Sequence, residues 1–106
     1  MACTRIAFPD LAWTAGGHPL ERKKLAADRP LALLEFAPGF ADPNWCERSH
    51  VILVLSGALE LELRTGTERL ARGECCVIDR GTAHRARNPG SEPVVLFLAS
   101  EVEVPR

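Results

Sequence analysis

From residue 30 onward, short apolar runs alternate with turn residues. The run Leu-Ala-Leu-Leu-Glu-Phe-Ala over 31–37 closes on Pro38-Gly39, which predicts a strand and a turn. A second run, 50–55, begins at His50 and ends on Ser56-Gly57. Leu59, Leu61 and Leu63 then alternate strictly with Glu60, Glu62 and Arg64, the period-two signature of a half-buried strand over 59–64. Turns at Thr65-Gly66 and Arg72-Gly73 lead to a strand at 75–79. Arg80-Gly81 precedes another at 84–88, and Asn88-Pro89-Gly90 precedes the last, 94–99. The glycines at 57, 66, 73, 81 and 90 fall seven to nine residues apart. Short strands at that spacing describe an antiparallel sandwich or barrel, and nothing after Pro30 sustains a helical period. The domain is all-β.

The first third of the chain is less decided. Gly16-Gly17 and Pro19 break structure, and 20–27 has the propensity of a short helix. Pattern does not choose between helix and strand over 18–27. Residues 1–29 are expected to form a segment packed on the barrel or on a partner copy, with 30–106 as the barrel of a one-domain chain. On the strand from His50, Ile52 and Val54 share the histidine's face, yet Val51, Leu53 and Leu55 make the opposite face apolar too. Val95 and Phe97 repeat this two-faced character. An apolar outer face needs a cover, which points to another sheet of the chain or to a homodimer.

Composition narrows the partners. Of 106 residues, 46% are hydrophobic and 25% charged, which excludes wholesale disorder. Thirteen basic against fourteen acidic residues leave a net charge of −1, so nucleic acid and anionic membranes are not expected partners. No apolar run approaches the ~20 residues of a membrane span, and no signal peptide is evident, so a cytoplasmic location is expected. Cys3, Cys46, Cys75 and Cys76 form no CxxC pair and no secreted disulfide framework. Cys75 and Cys76 read as reduced thiols acting as small hydrophobes.

Two histidines carry the candidate chemistry. His50 and His84 each stand at a strand start, and imidazoles facing into a small barrel can converge on one point across 34 residues of sequence. His18 reads as a solvated loop residue. Glu35 either faces the interior or sits at an exposed edge, the edge being favoured. Arg85 and Arg87 are expected on the outer surface, with Glu60 or Glu62 as partners.

The stretch from Gly73 through Gly81 and His84 to Asn88 resembles the second conserved motif of the cupins, in which a Gly, five residues, a Pro, one residue, a Gly, two residues, a His, three residues and an Asn follow one another. Every fixed position matches except that Asp79 replaces the Pro. Counting back from Gly57 on the first cupin motif puts His50 at its Glu position, Asn44 and Cys46 at its His-x-His positions, and Gly39 at its opening glycine. The Trp45-Cys46 pair followed by His50 is similar to a variant found in some small cupins. The resemblance implies a cupin jelly roll or barrel with a ligand pocket at Asn44, Cys46, His50, His84 and Asn88. It further implies a divalent transition metal, such as zinc, iron or nickel, held by Cys46, His50 and His84. Asn44 is a weak fourth donor or orients a water.

Three functions fit this reading. The first is a metal-dependent oxygenase, lyase or isomerase acting on a small polar molecule. The second is a non-catalytic module that binds or senses a small ligand in a metal-free, degenerate site. The third is a structural subunit with a vestigial pocket. Fold alone does not choose among them.

Overall fold

The computed structural model describes residues 2–101, so residue 1 and the end of the expected barrel segment, 102–106, lie outside the described residues. Among the described residues nine strands run in chain order: β1 (Thr14–Ala15), β2 (Glu21–Leu25), β3 (Leu31–Phe36), β4 (His50–Ser56), β5 (Ala58–Leu63), β6 (Gly66–Ala71), β7 (Cys75–Ile78), β8 (His84–Arg87) and β9 (Val94–Ser100). Each of the six expected strands is present to within one residue at either end. Among the described residues the helical content is one 3-10 turn at Phe8–Asp10, and no helix is long and apolar enough to cross a membrane.

The strands form two antiparallel sheets, one ordered β1-β2-β3-β9-β4-β7 and the other β6-β5-β8. The two sheets face each other as in the expected jelly roll, and they do not close into a barrel. Alternation sets the core between them. Leu59 and Leu61 of β5 meet Ile52 and Val54 of β4 and Val94 and Leu96 of β9, each at most 5% exposed. Phe36 and Phe40 stack at 4.0 Å between ring centroids. The edge of β8 is covered by the loop between β3 and β4, which bridges Ala41 to Arg87 and Cys46 to His84.

Residues 21–25 resolve as strand β2. Helix propensity in Glu-Arg-Lys-Lys-Leu is overridden by pairing with β3 and by the tertiary partners of Arg22 and Lys24. Arg22 lies opposite Glu35 and forms a two-pronged ion pair with it at 2.6 and 3.0 Å. Lys24 reaches the Phe8 carbonyl at 2.9 Å and, with Arg22, lies over the Trp13 ring. Glu35 is therefore on the outer face of an interior strand, not at an edge as expected. Strand β6 was hidden in the sequence because only its Leu70 is buried.

Gly57 follows β4 directly after the β4–β9 register shift between Val54 and Ser56. Its φ is +75°, and a Cβ there would collide with the Pro93 carbonyl oxygen, so glycine is required. On the outer faces, Arg85 pairs with Glu62 at 2.9 Å and Arg87 with Glu60 at 3.0 Å. Leu55 and Val77 are 41% and 71% exposed on the larger sheet, while Phe97 packs edge-on against Phe8 at 6.2 Å.

Candidate metal centre and cavity

Cys46, His50 and His84 meet between the two sheets. Cys46 and His84 form an isolated antiparallel bridge, and directly opposed residues in such a pair project to one face. His50, first residue of β4, comes from the larger sheet. One donor atom from each of the three lies within 4.8 Å of the others. The Cys46 sulfur is 3.5 Å from His50 Nε2, and the two imidazoles meet edge-to-face at 5.1 Å. Bonds of 2.0–2.3 Å in a tetrahedral site place donors about 3.3–3.6 Å apart, so small side-chain adjustments suffice to close the set on one ion.

Hydrogen bonding prepares the imidazoles. His84 Nδ1 lies 2.8 Å from the Thr82 carbonyl, which only accepts, so Nδ1 carries the proton and Nε2 keeps its lone pair. His50 Nδ1 contacts the Ser100 hydroxyl at 3.0 Å, which orients Nε2 toward the sulfur. Burial, then the neighbouring His84 ring and Arg48, lower the His50 pKa from 6.5 to about 4, with Glu101 opposing. His50 is therefore neutral near pH 7, the state a metal ligand requires. One thiol and two imidazoles are a donor set suited to a borderline transition metal.

The three residues line a cavity of about 350 Å³ whose walls include Leu34, Phe36, Phe40, Leu59, Leu61 and Leu96. Asn44 also lines it, with its backbone N–H donated to the Asp42 carboxylate at 3.1 Å. Asn88 is placed elsewhere and is not among the described lining residues. Only 1% exposed, it donates to the Phe36 and Glu92 carbonyls at 3.0 and 2.8 Å and accepts the Gly90 N–H at 3.0 Å. Its amide ties the end of β3 to the 90–92 loop.

Three polar lining residues were not expected at the cavity: His18, Glu21 and Asp42. His18, expected in a solvated loop, packs edge-on against Phe40 at 4.9 Å. Glu21 shares the inner face of its strand with the opposed Phe36, a parity visible only once 21–25 is read as a strand. Asp42 had no sequence signal, because its place depends on the path of the 39–46 loop along β8.

The family model for the cupin domain matches residues 32–100, well over half the chain. No curated protein sequence matches significantly. The fold is similar to that of KdgF from Halomonas sp., with a TM-score of 0.75 and 24% identity over 94% of this chain and 96% of that one. It is also similar to the polyketide cyclase RemF from Streptomyces resistomycificus, with a TM-score of 0.74 and 23% identity over 98% and 83% of the two chains. A sugar phosphate isomerase of the cupin superfamily from Silicibacter pomeroyi superposes with a TM-score of 0.73 and 16% identity over 90% and 73%. These identities speak to fold alone. With its two facing sheets and the matched motif region, the chain belongs to the cupin family.

Proposed function

We propose that this cupin binds one divalent transition metal through Cys46, His50 and His84 and uses the adjoining cavity to hold a small molecule against it. The observation that carries this reading is the meeting of three donor atoms within 4.8 Å at the wall of a cavity of about 350 Å³. A metal there supplies a Lewis acid with an open position. The chain's own residues fix the imidazoles through Thr82 and Ser100. Isomerisation or cyclisation of a carbonyl compound is the reaction type such a site suits, and relatives of this fold are described as an isomerase and a cyclase. The working unit is a homodimer joined through the outer face of the larger sheet, where Leu55 and Val77 are exposed.

Elemental analysis of tag-free protein tests the metal reading. One equivalent of zinc, iron or nickel per chain is expected, and loss of that metal in His84→Ala. Equal metal content in both proteins refutes it. Light scattering that shows a monomer at micromolar concentration refutes the dimer.

A further inference from the structure

We propose that the cavity selects uncharged ligands with an apolar body, and that Glu21 and Asp42 determine this specificity by excluding phosphorylated and carboxylated compounds. The inference deepens the reading of this cavity as the ligand site and rests on it.

Among the described lining residues there is no lysine or arginine, and the charged side chains are Glu21 and Asp42. Five guanidinium groups of the chain have partners outside the cavity. Arg22 is held by Glu35, Arg85 by Glu62, Arg87 by Glu60 and Arg48 by Glu101. Arg64 lies over Trp45 at 3.9 Å. Lys23 shares the inner parity of Leu34 but is not among the described lining residues.

Both carboxylates are pinned by backbone amides. Glu21 Oε1 accepts the Gly17 N–H at 2.9 Å, and its side chain fills the space a Gly16 Cβ would occupy. Asp42 Oδ1 accepts the Asn44 N–H at 3.1 Å. Each has a second oxygen left to accept from a ligand hydroxyl. His18 adds a donor, because its Nδ1 accepts the Leu20 N–H at 3.0 Å and the ring proton therefore resides on Nε2.

Electrostatics favour a neutral guest. A divalent ion bound by the Cys46 thiolate retains one positive charge, and two carboxylates outweigh it. A phosphate dianion would enter a net-negative, apolar-walled cavity without a cationic side chain to meet it, which is costly. Register also separates the two ends of the larger sheet. Glu21 is opposite Phe36, which is opposite Val94, whereas His50 is opposite Ser100 at the other end of β9. A ligand that spans both needs an oxygen for the metal, hydroxyls for the carboxylates and an apolar scaffold between, and a cavity of about 350 Å³ accommodates two to three fused rings.

The test is calorimetry on the full chain, zinc-loaded and chelator-treated, with 1-naphthol, 1-naphthoate and ribose 5-phosphate as probes. The expected result is binding of 1-naphthol, at least tenfold weaker binding of 1-naphthoate, and none of ribose 5-phosphate. In the double variant E21Q/D42N, which keeps both backbone acceptors, the naphthol preference should fall severalfold toward parity. The single variant E21Q should show part of that fall if the double variant does not fold. Tighter binding of either anion, no binding of 1-naphthol, or an unchanged preference in the variants overturns the proposal. Zinc titration of the same samples separates the two readings. Selectivity without zinc binding removes the metal site only, and zinc binding without selectivity removes this inference only.

Discussion

Cys46 and His84 exchange both backbone hydrogen bonds, Cys46 N–H to the His84 carbonyl at 2.8 Å and His84 N–H to the Cys46 carbonyl at 2.9 Å. The backbone itself thus delivers a thiol and an imidazole to the same face, 38 residues apart in sequence. With β8 in the smaller sheet and β4 in the larger, the donor set spans the gap between sheets. Metal binding should therefore couple to docking of the two sheets as well as to local geometry.

Cys46→Ser should weaken binding of zinc or cobalt by more than about 100-fold, since it removes a ligand where loss of an outer contact alone typically costs 10–100-fold. Cys75→Ser should change affinity little, because Cys75 is exposed on β7 and lies outside the donor group. Asn44→Ala should fall between them. The intensity of the sulfur-to-cobalt charge-transfer band during titration distinguishes the three.

Ser100→Ala removes the hydroxyl that holds His50 Nδ1 at 3.0 Å. A loss of metal affinity of about 10-fold or more is expected, with little change in stability of the metal-free protein. Competition with a chelator of known affinity measures it.

The lowered His50 pKa makes the metal-free protein acid-sensitive. The unfolded chain takes up this proton near pH 6.5 and the folded chain only near pH 4, so the unfolded state binds more protons in between. Stability conferred by neutral His50 is complete above pH 6.5 and declines as pH falls through that window. Urea midpoints measured from pH 7.5 to 4 should drop, and His50→Gln should flatten the slope.

Asn88→Ala should destabilise the fold by about 2–4 kcal/mol, because it leaves the Phe36 and Glu92 carbonyls and the Gly90 N–H without this partner in a buried setting. Zinc affinity of the folded variant should match the wild type. Denaturant midpoints and a zinc titration report the two effects separately.

The six strands with apolar periodicity were legible because burial writes itself into alternation, as Leu59 and Leu61 show. His84 was legible as part of a spacing with Gly73, Gly81 and Asn88. Strand β2 was not, because its charges are satisfied by Arg22–Glu35 pairing and by Lys24 on the Phe8 carbonyl, contacts made across 13 and 16 residues. Strand β6 is an exposed edge with one buried side chain, Leu70, too little to impose a pattern. Within the site, Asn88 was legible as a position but not as a role, since an amide that ties backbone together and one that contacts a ligand have the same sequence. His18 and Asp42 reach the cavity through loops whose course no local periodicity encodes.

X-ray absorption at the metal edge of the loaded protein reads the ligand set at Cys46, His50 and His84 directly. One sulfur scatterer at ~2.3 Å and two imidazoles at ~2.0–2.1 Å are expected, with the sulfur lost in Cys46→Ser. A shell of nitrogen and oxygen alone in the wild type, or a sulfur that survives Cys46→Ser, would contradict this ligand set.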